Sequence, residues 1–158
     1  MTLRIFLDTE FTDFIRPHLI SIGMVADSGE EFYAEIPYPE SECSDFVRET
    51  VIPLLGRFSG AICSKEILSV RLRTWLELVR AQRDHIEICV DSQTDWDLLI
   101  SALEYQVPKW CWQTFIGNSI DELVRCDFYR KNEFPEHYAL YDARANRSAF
   151  IEKPNVST

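Results

Sequence analysis

Leu19-Ile20-Ser21-Ile22-Gly23-Met24-Val25-Ala26 is followed by Asp27-Ser28-Gly29-Glu30 and then by Glu31-Phe32-Tyr33-Ala34-Glu35-Ile36. The first run is apolar, short and rich in residues that suit a buried strand. The middle four residues supply turn chemistry. The last six alternate, with Phe32, Ala34 and Ile36 on one side and Glu31, Tyr33 and Glu35 on the other, so the two runs are expected to pair as a hairpin. Upstream, Leu3 to Leu7 is another short apolar run, which reads as a central strand. Downstream the pattern changes to helices. After Pro37-Tyr38-Pro39, Ser44 can cap a helix running towards Leu55, and Ser64 a longer one over Lys65 to Arg83. Ile86 to Val90 is again a strand, with a helical pattern at Trp96, Leu99, Ile100 and Leu103 behind it. Pro108 to Gly117 is aromatic and irregular, Ser119 to Cys126 suggests a short helix, and Tyr138 to Ile151 a final one. Three early strands followed by alternating helix and strand predict an α/β fold, a mixed central sheet with its first three strands antiparallel and helices flanking it.

The chain has 158 residues, 46% of them apolar and 13% aromatic, which suits one domain with a core over about residues 3–151 and a short C-terminal tail. Disordered, collagen-like and low-complexity classes are excluded by that composition. No stretch approaches the roughly 18 apolar residues of a membrane span, and the sequence reads as a soluble cytoplasmic protein. Cys43, Cys63, Cys89, Cys111 and Cys126 form no C-x-x-C pair and read as small buried hydrophobes rather than disulfides or a zinc cage. A formal charge of −10 argues against a general basic surface for long nucleic acid. Any such contact should be local and metal-assisted.

Several carboxylates sit where a core should be. Asp8 and Glu10 are two residues apart, so if the first strand continues through Thr9 they project from one face with Cα atoms roughly 6.6 Å apart. Burying like charges together is costly unless cations or protons neutralise them, and a divalent, oxygen-seeking metal does so directly. The same D-x-E pattern also occurs where the Asp merely ends a strand and the Glu is solvated. On a helix at about 100° per residue, Leu98, Ala102, Leu99, Leu103, Trp96 and Ile100 form an arc that includes Asp95, whereas Asp97 points away. Asp91, ending the preceding strand, is a rival for the same place. In the last helix Asp142 falls on the arc of Ala139, Leu140, Ala143, Ala149 and Phe150. His137 lies five residues before it, off that helical face, and should reach the site from the loop side.

The segments Phe6-Leu7-Asp8-Thr9-Glu10-Phe11, Thr94-Asp95-Trp96 and His137-Tyr138-Ala139-Leu140-Tyr141-Asp142-Ala143-Arg144 together resemble the DEDDh exonucleases. This is the ribonuclease H-like group that includes oligoribonuclease, ribonuclease T and polymerase proofreading subunits. The resemblance runs from Arg4 to about Phe150 and is greatest to small bacterial 3′-to-5′ exoribonucleases. Cys89-Val90-Asp91-Ser92-Gln93-Thr94 lacks the Asn-rich sequence that many relatives carry there. The resemblance implies that Asp8, Glu10, Asp95 and Asp142 hold two divalent ions, Mg²⁺ or Mn²⁺, and that His137 is the general base. It further implies hydrolysis of single-stranded nucleic acid from the 3′ end to nucleoside 5′-monophosphates, with RNA favoured over DNA, and it allows a homodimer or higher homo-oligomer.

A terminal base would need an aromatic platform, for which Phe11 and Phe14 stand beside the first acidic pair. Trp110, Trp112 and Phe115 form a second aromatic group, read more simply as ordinary core packing. Arg125, Arg130, Lys131, Arg144 and Arg147 could contact phosphates or serve only in surface ion pairs. A non-catalytic nucleic-acid-binding module on the same fold is the reading from a different class.

Overall fold

A computed structural model describes residues 2–153. Five strands form one mixed sheet: β1 (Leu3–Phe11), β2 (Leu19–Ala26), β3 (Glu31–Glu35), β4 (Ile86–Val90) and β5 (Cys111–Phe115), in the order β3-β2-β1-β4-β5. β2 runs antiparallel to both β1 and β3, and β4 and β5 run parallel to β1. Among the described residues five α-helices accompany them: α1 (Asp45–Thr50), α2 (Lys65–Arg80), α3 (Gln93–Ala102), α4 (Glu122–Asn132) and α5 (Ala139–Ala149). Among the described residues no helix is long and apolar enough to cross a membrane.

The two faces of β1 do different work. Leu3, Ile5 and Leu7 enter the main core beneath Leu68, Leu72 and Leu76 of α2 and Leu98 and Leu99 of α3. Phe6 lies on the other face with Cys89, Ile116 and Phe150. Period-two alternation then puts Asp8 and Glu10 on the Phe6 face, at the C-terminal end of the strand. The expected helix caps form, with Ser44 Oγ accepting from Val47 N and Ser64 Oγ from Ile67 N.

Gly23 explains how α5 reaches the acidic end of β1. It pairs with Asp8 across the β1–β2 ladder. A Cβ placed on it would stand 2.5 Å from both Ala139 C and Leu140 N, so only glycine lets the first turn of α5 lie directly on β2. Gly23→Ala should force that turn away from the sheet and destabilise the fold by about 1–3 kcal/mol, the usual range for overpacking, as read from denaturant midpoints. A midpoint within experimental error of the wild type would show that α5 has room to shift.

Three further elements and one cysteine differ from the sequence reading, besides α1, which ends at Thr50 with a separate 3-10 turn over Ile52–Leu54 instead of running on towards Leu55. Residues 108–117 are not irregular throughout, because β5 pairs with β4 from Cys111 to Phe115. It is an edge strand in which only Cys111 is buried, so no apolar alternation marks it. Helix α2 stops at Arg80 instead of Arg83. Ala81 turns to φ 53° and the Arg83 guanidinium donates back to the Val79 carbonyl at 3.0 Å, making residues 81–83 its terminus. Helix α4 starts at Glu122 behind the Asp121 cap and continues to Asn132, well past Cys126. It buries no residue completely, which removes the periodic signal. Finally, Cys126 is exposed, unlike the four buried cysteines, and all five are free thiols.

Candidate active site

A cavity of about 590 Å³ opens at the C-terminal end of β1 and β4. Asp8, Glu10, Asp95, Asp142 and His137 all line it, as do Phe11 and Phe14. Each arrives by a different local device. Asp8 and Glu10 come from consecutive same-face positions of β1, just before the register irregularity between Glu10 and Phe11. Asp95 sits in the first turn of α3 and is only 2% exposed, as its place in the apolar arc predicts. Thr9, on the opposite face from Asp8, donates both its hydroxyl (2.6 Å) and its backbone N–H (3.2 Å) to Asp95 Oδ1. Asp97 is exposed and accepts only from the Gln93 side chain.

Asp142 lies in the first turn of α5, with the Tyr129 hydroxyl donating to its Oδ1. The backbone N–H of His137 donates to Asp142 Oδ2 at 3.1 Å, tying the loop before α5 to the helix. His137 adopts φ 64°, a left-handed conformation uncommon for any residue with a Cβ. Its ring meets the edge of Phe46 from α1 at 4.9 Å between centroids. The histidine therefore enters from the loop, as its offset from the Asp142 face requires.

Burial and like charge together raise the carboxyls of the site. Burial and the surrounding carboxylates of Asp142, Asp95, Glu10 and Asp91 hold the Asp8 carboxyl well above the ordinary range. Burial, then Asp142, pushes Glu10 up to about 9. Burial raises Asp95 to about 8 despite the opposing Thr9 hydrogen bond. Asp142 is raised by burial, against the stabilising hydrogen bond from Tyr129. Asp8 Oδ2 and Asp95 Oδ2 are buried without a hydrogen-bond partner. Among the described residues, two groups bring one ligand atom from each member within 4.8 Å of one another: Glu10, His137 and Asp142, and Asp8, Asp91 and Asp95. The carboxylate oxygens of these groups form a donor set that suits Mg²⁺ or Mn²⁺, and the two orphaned oxygens fit that use.

A pH signature follows from the raised carboxyls. The native state binds these protons more tightly than the unfolded chain, whose carboxyls titrate near about 4. Their contribution favours folding at acid pH and is lost as pH rises through the values of about 8 and about 9 at Asp95 and Glu10. In EDTA, Asp95→Asn should therefore gain thermal stability over the wild type, by a margin that grows between about pH 5 and pH 9. A margin that shrinks over that interval contradicts the sign.

Other expected contacts divide clearly. Phe11 and Phe14 meet edge to face at 5.0 Å, and Phe14 is 82% exposed at the cavity mouth. Trp110 packs on the main core, while Trp112 and Phe115 are exposed on β5, and none of the three lines the cavity. Of the basic residues only Arg125 lines it. Arg130 and Lys131 pair with Asp127, Arg144 with Glu31, and Arg147 donates to the Asp27 carbonyl. His18 pairs with Glu42 away from the site.

Sequence reasoning missed Tyr129, Phe46 and Asn146 as cavity residues. Asn146 had a usable signal, because it follows Asp142 by four residues and so shares its helical face. No family model matches the chain, and no curated protein matches it.

Proposed function

We infer that the protein is a metal-dependent 3′-to-5′ exonuclease with a ribonuclease H-like fold, acting on single-stranded nucleic acid and preferring RNA. One observation carries the reading. The four carboxylates and the histidine of three separated sequence motifs converge on a single cavity, where two buried carboxylate oxygens lack partners. The sheet order and the antiparallel β1–β2–β3 meander are consistent with the fold that the motifs imply. The preference for RNA rests on the resemblance alone.

A phosphodiester is anionic, so the site must offset its charge, activate water and stabilise the departing oxygen. Two divalent ions, held by Asp8, Glu10, Asp95 and Asp142, would supply those three effects when bound. The residues of the chain provide the rest. Thr9 fixes Asp95, and Tyr129 with the His137 N–H fixes Asp142, so each carboxylate presents its remaining lone pairs without reorganising. The His137 imidazole accepts the proton of the attacking water, and the upstream 3′ oxygen leaves from phosphorus with the bonding electron pair. Phe11 and Phe14 offer a stacking surface worth about 1–3 kcal/mol per base. Stacking tolerates any base, which suits removal of successive nucleotides.

Incubating the full chain with end-labelled single-stranded RNA and DNA in Mg²⁺, Mn²⁺ or EDTA tests this reading. The expected result is metal-dependent shortening from the 3′ end, faster on RNA. Binding of the strands without cleavage under any of these conditions would favour the non-catalytic module instead.

A further inference from the structure

Asp91 and Asp95 are rivals on sequence, yet the fold brings both to the same place. Asp91 directly follows β4 and Asp95 lies in the first turn of α3, and a carboxylate oxygen of each lies within 4.8 Å of the other and of Asp8. Three carboxylates at that separation repel one another, and a divalent cation among them removes that cost. Asp95, 2% exposed, keeps one oxygen with no hydrogen-bond partner, and Asp8 does the same.

The support around Asp91 is weak by comparison. Asn146 Nδ2 donates to its Oδ2 at a long 3.4 Å, and the Arg125 guanidinium stands 3.8 Å away. Arg125 has a closer partner in Glu122, at 2.8 Å, and is itself partly exposed. A single charge at 3.8 Å is a loose contact, and a doubly charged ion in direct contact with the carboxylate attracts it more strongly at the same dielectric.

Resting on the exonuclease reading, we propose that Asp91 is a fifth carboxylate of the centre and ligates the divalent ion held by Asp8 and Asp95. Asn146 orients it, and Arg125 balances its charge. The charge balance supports this assignment, because five carboxylates are neutralised by Arg125 together with two divalent ions. Loading the ion draws Asp91 from Arg125, whose Nη2 stays on Glu122 while Nη1, which faced Asp91 on the cavity wall, can turn to a substrate phosphate. Arg125 is thereby a positioning residue for Asp91 in the empty site and a phosphate contact in the loaded one.

Calorimetric titration of the full chain with Mn²⁺ tests the proposal without reference to turnover. The variants are Asp91→Asn, Asp91→Ser and, as a control, the exposed Asp97→Asn. The expected result is two binding events in the wild type and control, one of them weakened at least tenfold in both Asp91 variants. Their folds are checked by circular dichroism, and the serine variant serves if the asparagine one does not fold. Arg125→Gln should bind Mn²⁺ as tightly as the wild type or more tightly, since it removes a competitor for Asp91. Affinities in the Asp91 variants equal to or above the control would overturn the role of Asp91 while leaving the exonuclease reading intact. Absence of Mn²⁺ binding by the wild type would overturn both.

Discussion

Asp142→Asn is expected to lose at least about a thousandfold in hydrolysis of single-stranded RNA while folding normally. The variant's amide oxygen can stand where Oδ2 stands and accept from the His137 N–H, while its NH2, in the place of Oδ1, donates to the Tyr129 hydroxyl, which can accept as well as donate, so both contacts that hold Asp142 in place survive. Only the charge is lost. A ligating carboxylate takes part in charge stabilisation worth several kcal/mol in the transition state, and each ~1.4 kcal/mol is a factor of ten in rate. Because Asp142 is one of the charges that raise Asp8 and Glu10, its removal relieves repulsion in the metal-free protein. The metal-free midpoint should stay level or rise as activity disappears. A variant with wild-type turnover would remove Asp142 from the site chemistry.

The second large effect is at His137. Replacing a positioned general base costs about two to four orders of magnitude in kcat. Alanine is a poor probe here, because residue 137 has φ 64° and alanine pays for that conformation, whereas asparagine adopts it more readily. His137→Asn should therefore retain the fold and the N–H contact to Asp142, lose about a hundred- to ten-thousandfold in kcat, and keep its Mn²⁺ affinity. His137 also has a ring nitrogen within 4.8 Å of ligand oxygens of Glu10 and Asp142. A parallel fall in Mn²⁺ affinity and kcat would make the histidine a ligand rather than the base.

The acidic positions were legible because each violates a periodicity set by its neighbours. Asp8 and Glu10 follow an apolar strand, and Asp95 and Asp142 sit inside apolar helical arcs, so burial without a visible counter-charge was implied before any contact was known. The bounds of β2 were legible for the same reason, since every residue from Leu19 to Ala26 is buried. What stayed hidden depends on partners remote in sequence. Gly23 reads as an ordinary strand glycine until α5 is laid against it. Tyr129 sits on a helix with no fully buried residue, so nothing in its spacing points inward. Glu35 reads as the outer face of an alternating strand, yet it is 6% exposed and accepts the Gly56 N–H from the loop that covers it. Asp91 was visible only as a competitor of Asp95, because a strand end gives a carboxylate no periodic context. Strand β5 failed on the same ground, with one buried residue in five.

The account is tested most directly by the products formed from linear and circular single-stranded RNA in Mn²⁺, identified by mass. It predicts nucleoside 5′-monophosphates released one at a time from linear strands, intact circles, slowed digestion of strands ending in a 3′-phosphate, and no release in EDTA. Opened circles, or products carrying 3′-phosphates, would contradict it.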